Sequence, residues 1–308
     1  MYKRQVQTYP LSAHSVINRE VRDIIELNAD YMLVGTFNGL YRLHKRTFQA
    51  IVEEGELGEK GALNHYSIYS LYKDSQGIIW VGTYAGGVNY SHSYNQRFQY
   101  FAPPHFSGRI SMAREDGKGN IWFGTEGNGL LCHNAGTDKI VQYWLEGKGR
   151  HYSDNIIKSI CIAGDTIMCG NWRGEVYLYS IKKNSFTLYK AYERNNVLYI
   201  YRDSRQNWWV SIQDYGVVCI GDDSIKFPSS NFIQEIRPGI LVFATQKEGL
   251  YIYDLKRGQV RSVGSEELGM SKDLSISVTS FYQDTDRNLW LTTENSGVLV
   301  LDGNWKLK

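Results

Sequence analysis

The 308 residues are 42% apolar and 21% charged, with a net charge of +2. That balance fits a globular chain and excludes a strongly basic nucleic-acid surface or an acidic-membrane binder. No apolar run reaches the ~18–20 residues of a membrane span, and no apolar stretch of the signal-peptide kind follows Lys3-Arg4.

The chain opens on MYKRQ (residues 1–5), which resembles translated sequencing-adaptor sequence. The expectation is that residues 1–5 are not native and that the natural chain starts upstream. Residues 6–9 read as a short strand standing alone. From residue 20 onward one phrase recurs seven times: a polar turn, an apolar strand, a small residue, then a glycine turn. It is clearest at residues 74–90 (DSQGIIWVGTYAGGVNY) and 115–133, returns at 283–302, and is weaker at 28–43, 164–179, 202–220 and 238–254. Its last glycine falls at Gly39, Gly87, Gly129, Gly174, Gly216, Gly249 and Gly297, and 308 residues over seven repeats is 44 each. Short strands at that period predict an all-β fold, a single seven-bladed β-propeller of four-stranded antiparallel blades. The repeats lie near 20–66, 67–108, 109–153, 154–195, 196–230, 231–275 and 276–308 of one domain.

Within the second repeat, strand A is predicted over 68–72, B over 78–83, C over 87–91 and D over 98–101. Asp74 and Gly77 make the A–B turn. Strand B carries a large residue (Leu33, Trp80, Trp122, Met168, Trp209, Val242, Trp290) and, two places on, a small one (Gly35, Gly82, Gly124, Gly170, Ser211, Ala244, Thr292). Large and small residues on one strand face predict interdigitation between twisted neighbouring blades. The last repeat has only residues 303–308 left for a strand D, so residues 6–9 are expected to complete that blade and close the ring. Cys132, Cys161, Cys169 and Cys219 fall inside predicted strands without metal-type spacing. With a hairpin turning at 163–165, Cys161 and Cys169 are expected to be diagonal neighbours on one sheet face, a poor disulfide geometry.

The pattern D-x-x-G-x-φ-W-φ-G-T-x-x-G-G-φ of residues 74–90, repeated at 116–130, resembles the two-component-regulator propeller repeat. Departures occur at Thr292, at Ser211-Ile212, at Gly170-Asn171 and at Ala244-Thr245. The resemblance implies the periplasmic sensor region of Bacteroides-type hybrid two-component histidine kinases, which respond to oligosaccharides. It implies partners in the parent chain, an adjoining propeller and further domains, and a homodimer, with no nucleic acid and no direct membrane contact. No kinase or receiver signature is present in these residues, so any phosphorylation belongs elsewhere in the parent.

In a four-stranded blade the D–A and B–C connections share one face. The D–A connections (11–19, 55–66, 103–108, 146–155, 264–273) are long and mutually different, as binding loops are. The B–C turns beside them offer Phe37, Asn38, Tyr84, Glu126, Asn128, Trp172, Arg173 and Tyr215 as candidate ligand-binding residues. Aromatic faces with amides and carboxylates suit sugars. Trp172 and Tyr215 equally suit packing against neighbouring loops or a second domain. No catalytic residue, cofactor or metal is expected. His14, His65, His105 and His151 lie on four separate loops, and Asp284-x-Asp286-x-Asn288 lacks the later positions of a calcium loop. Glu126 with Glu294 as a glycosidase pair, or His151 with Arg109 in a lyase, remain alternatives, as does a protein-interaction scaffold.

Overall fold

The computed structural model describes residues 20–53, 62–91, 99–101, 108–145, 152–192, 195–268 and 275–308. Blade 1 comprises β1 (Val21–Glu26), β2 (Tyr31–Thr36), β3 (Gly39–His44) and β4 (Ala50–Val52). Blade 2 comprises β5 (Ile68–Lys73), β6 (Ile79–Thr83), β7 (Val88–Ser91) and β8 (Gln99–Phe101). Blade 3 follows with β9 (Arg109–Glu115), β10 (Ile121–Glu126), β11 (Leu130–Asn134) and β12 (Lys139–Tyr143). Blade 4 holds β13 (Ile157–Ala163), β14 (Thr166–Asn171), β15 (Glu175–Ser180) and β16 (Ser185–Ala191). Blade 5 holds β17 (Val197–Arg202), β18 (Trp208–Ile212), β19 (Gly216–Cys219) and β20 (Asp222–Phe227). Blade 6 is β21 (Ser230–Arg237), β22 (Ile240–Thr245), β23 (Leu250–Asp254) and β24 (Gln259–Val263), and blade 7 is β25 (Val278–Gln283), β26 (Leu289–Thr293) and β27 (Val298–Leu301). Every sheet runs antiparallel in chain order, and the only helical turn among the described residues is Tyr152–Asn155.

The first strand of each blade is innermost and packs against the first strand of the next, with β25 against β1 closing the circle. Thr279 Oγ1 donates to Val21 O at 2.7 Å across that closure. Residues 6–9 lie outside the described residues. Beside β27 lie the chain's own last residues: Leu307 bridges to Leu301, and Lys308 N donates to Val300 O at 2.9 Å. Trp305 and Leu307 cover the core between blades 6 and 7.

The recurrent Asp and Trp of the repeat are one device. Asp74, Asp116, Asp203 and Asp284 each accept a hydrogen bond from the indole Nε1 six residues on, at 2.8–2.9 Å, while their other oxygen accepts turn backbone N–H groups. An indole donor buried in a blade needs such a partner. Its ring then packs on the next blade: Trp80 on Phe123, Trp122 on Tyr179, Trp209 on Phe243 and Trp290 on Phe48 of blade 1. The small position two residues later receives the neighbouring inner strand. A Cβ on Gly170 would stand 2.3 Å from Val197 Cγ1, and one on Gly35 2.7 Å from Ile68 Cγ2.

One expectation is corrected. Ala163 pairs with Thr166 across a two-residue turn, so Ile160 faces Cys169 and Cys161 faces Met168. The shorter turn shifts the register by one, which puts Cys161 and Cys169 on opposite faces of the sheet. All four cysteines are free thiols.

Candidate functional site

Five of the loop-face turns are built by the threonine that follows the repeat's small residue. Thr36, Thr83, Thr125, Thr245 and Thr293 each donate Oγ1–H to the carbonyl of the following strand's glycine and accept an N–H from within the turn. Where that threonine is absent, other groups substitute. Asn171 Oδ1 accepts from Arg173 N and Glu175 N in blade 4, and Ser229 Oγ donates to Ile212 O in blade 5.

The residue just past each second strand is pinned beside the innermost strand. Phe37, Tyr84, Trp172, Gln213, Gln246 and Glu294 donate their backbone N–H to the carbonyls of Glu20, Ser67, Ile156, Asn196, Ser229 and Ser277 at 2.8–3.2 Å. Glu126, their equivalent in blade 3, pairs with Arg109 in the ladder. These seven positions ring the mouth of the central channel. Blades 1, 2 and 4 supply aromatic rings, and the others supply amides and carboxylates.

A second ring lies beneath. In all seven innermost strands the register slips by one residue near the loop face, leaving Arg22, Tyr69, Ser111, Lys158, Leu198, Asn231 and Thr279 as the extra residue of a β-bulge. A bulge redirects its extra side chain, and all seven line a channel of about 320 Å³. Lower down, Arg114 Nη2 of blade 3 donates to Tyr199 OH of blade 5 at 2.6 Å, passing over blade 4. Asp23 accepts from Ile24 N and, across to blade 2, from Leu71 N at 2.7 Å. Desolvation raises its carboxyl to about 6 against the pull of those two N–H groups and the Arg114 charge.

Charge at the mouth centres on Glu126, which is buried. It takes Arg109 Nη1 at 3.0 Å on Oε2 and Lys158 Nζ on Oε1. Burial pushes its carboxyl up, but the Lys158 hydrogen bond and the two cationic charges outweigh that and hold it below the usual range. The same cations serve the aromatic rings: Arg109 lies 3.2 Å above Tyr84, and Lys158 Nζ 5.4 Å from Trp172. Arg22 sits 5.1 Å from Phe37 and 4.8 Å from Tyr69. Each ring thus has one face occupied by a protein cation, while Phe37 and Trp172 keep 40% and 50% of their surface exposed. Arg22 Nη1 and Asn196 Oδ1 are buried without a hydrogen-bond partner.

Of the sequence candidates, Phe37, Tyr84, Glu126 and Trp172 form one contiguous chain of contacts through Arg109 and Lys158. Asn38, Asn128 and Arg173 donate their backbone N–H groups inside the turns, and Asn128 O accepts from Gln142 Nε2. Tyr215 stands apart, in a cleft of about 250 Å³ that also includes Asp214, Pro228, Gln246, Lys247 and Glu248. Sequence reasoning missed the bulge ring, because a bulge breaks the alternation by which strand faces are read. Its trace was the residue after the first fully buried one of each inner strand, which varies freely from blade to blade. Of the loop histidines, His65 accepts from Ser67 N; His14, His105 and His151 lie outside the described residues. Asp284 is a turn and indole acceptor, and no cluster of three or more metal-ligating side chains occurs among the described residues. No described helix is long and apolar enough to cross a membrane.

A closed ring of seven antiparallel blades defines a seven-bladed β-propeller, and comparison with known proteins finds others of that fold. The two-component regulator propeller model matches residues 62–85, so the second blade carries that repeat. The extracellular domain of the hybrid two-component system BT3049 from B. thetaiotaomicron superposes with TM-score 0.75 at 18% identity over 93% of this chain. That of BT4673 from the same organism gives 0.53 at 20% over 94%. The chain spans 40% of the length of each. A virginiamycin B lyase from Staphylococcus aureus shares the fold at TM-score 0.65 and 15% identity, over 92% of this chain and 94% of its own. No curated protein matches.

Proposed function

We propose that this propeller is an extracytoplasmic sensor module of a hybrid two-component signalling protein and that its loop face binds an oligosaccharide. One observation carries the reading: the two-tiered mouth, with aromatic rings on one arc and amides and carboxylates on the other. Sugars present apolar C–H faces and hydroxyl edges together, and that pairing is what such a mouth complements. In a glycosidase pair a Glu126 kept ionised by two cations could serve only as nucleophile or base, and its burial against Arg109 and Lys158 disfavours that role. The outward Leu188 and Tyr189 of β16, each about half exposed, offer an adjoining domain or a second copy an apolar contact. Ligand transmits a signal only through a difference in affinity between two such arrangements.

A thermal-shift screen against plant and host oligosaccharides tests this. Ligand at about a hundredfold excess over Kd adds ~2.7 kcal/mol of stability. A shift with one glycan class, lost in Trp172→Ala and Phe37→Ala, is expected. A folded sample that responds to no glycan would sink the proposal.

A further inference from the structure

We propose that the saccharide enters the central channel end-on, so that the propeller recognises a chain terminus rather than a stretch of polymer lying across the mouth. This rests on the saccharide-binding reading above and specifies how that site is used. The channel is a polar well. Its bulge ring gives Arg22, Tyr69, Lys158, Asn231 and Thr279, and the Arg114–Tyr199 hydrogen bond spans its lower part. Its volume of about 320 Å³ equals the share of roughly ten waters. That is ample room for a terminal hexose, whose dozen bonded heavy atoms pack more tightly than separate waters.

Two buried polar atoms among these lining residues, the Arg22 Nη1 donor and the Asn196 Oδ1 acceptor, have no partner in the protein. Buried polar groups are normally satisfied, so an unmatched donor and acceptor beside one well mark where a polar guest belongs. A chain lying flat over the outer faces of Phe37 and Trp172 would leave both unmatched. A terminal sugar lowered into the well offers hydroxyls to each atom once the side chain carrying it turns toward the channel, since neither atom has open surface as it stands, while the sugar's next residue stacks at the rim. The charges there balance: Arg22, Arg114 and Lys158 of the lining stand against Glu20, Asp23 and Glu294, and Arg109 at the rim pairs with Glu126. The guest is therefore an uncharged polyol rather than an anion.

The responding glycan is titrated calorimetrically as tetramer, hexamer and long polymer into wild type, Leu198→Trp and Leu198→Ala. Leu198 points into the well without a polar role, so tryptophan fills the space and alanine enlarges it. The expected result is one propeller per chain at every length, with affinity falling about tenfold or more in Leu198→Trp and retained in Leu198→Ala. Several propellers per polymer chain, measured on wild type alone, would overturn end-on entry, as would undiminished binding by a folded Leu198→Trp. Either of those outcomes leaves saccharide binding itself intact. A wild type that binds no saccharide removes both proposals.

Discussion

Replacing Glu126 by glutamine tests the charge architecture of the mouth directly. The carboxylate is nearly inaccessible, while its partners Lys158 and Arg109 retain 17% and 33% side-chain exposure. Removing one member of a fully buried ion pair costs about 3–5 kcal/mol because the other charge is stranded. Here two cations are stranded, but water reaches both and the glutamine oxygen still accepts one hydrogen bond. The expected cost is therefore about 2 kcal/mol, or a melting temperature roughly 4 °C lower. Adding Lys158→Met should recover about half of that loss, since the pair shares one acceptor. Urea unfolding of wild type, both single variants and the double variant gives the coupling. Additive costs, or an unchanged Glu126→Gln midpoint, would refute the hub. The sign with pH follows from the direction of the shift. A carboxyl held below its unfolded value contributes fully above about pH 4.5 and loses that contribution as pH falls further, so the wild-type advantage should shrink in acid.

Asp23 should behave in the opposite sense. Its carboxyl is raised from 3.8 to about 6, so the folded chain holds the extra proton between those values and stability falls as pH rises through that window. The span corresponds to an order of 3 kcal/mol. Asp23→Asn should abolish that slope in denaturant midpoints taken from pH 4 to 8, and an unaltered slope would contradict the assignment. Asp203→Ala removes the acceptor of Trp209 Nε1, Arg205 N and Asn207 N. It should cost about 3 kcal/mol, whereas Trp172→Ala, on the exposed rim, should shift the melting temperature by only a degree or two. Gly174→Ala and Gly258→Ala separate conformation from space. Both glycines have positive φ, 81° and 65°, but a Cβ on Gly174 meets Tyr192 O at 2.2 Å while one on Gly258 meets nothing within 4 Å. The second should cost about 1 kcal/mol and the first well over 2, as read by thermal melting. Equal losses would mean the close approach is not felt.

The blades were legible in the sequence because each is stabilised by contacts a few residues apart. The Asp–Trp spacing of six recurs in four blades, the threonine turn in five and the small residue after the large one in all seven, and that repetition of local rules makes weak copies such as residues 164–179 readable. The aromatic members of the mouth, Phe37, Tyr84 and Trp172, could be placed on one face by the same logic, since they follow equivalent strand ends. What joins them could not be read. Arg22 and Lys158 reach the channel only because a bulge turns them inward, and Glu126 meets Lys158 from the next blade, 32 positions along the chain. The face of Cys161 hung on a single residue of turn length, which alternation cannot resolve. Neighbour-to-neighbour chemistry fixes the strands and their period, so the sequence determined the number of blades. Tertiary structure alone decided the channel, because its lining gathers one bulged residue from each blade and charges there find their partners only once the ring is closed.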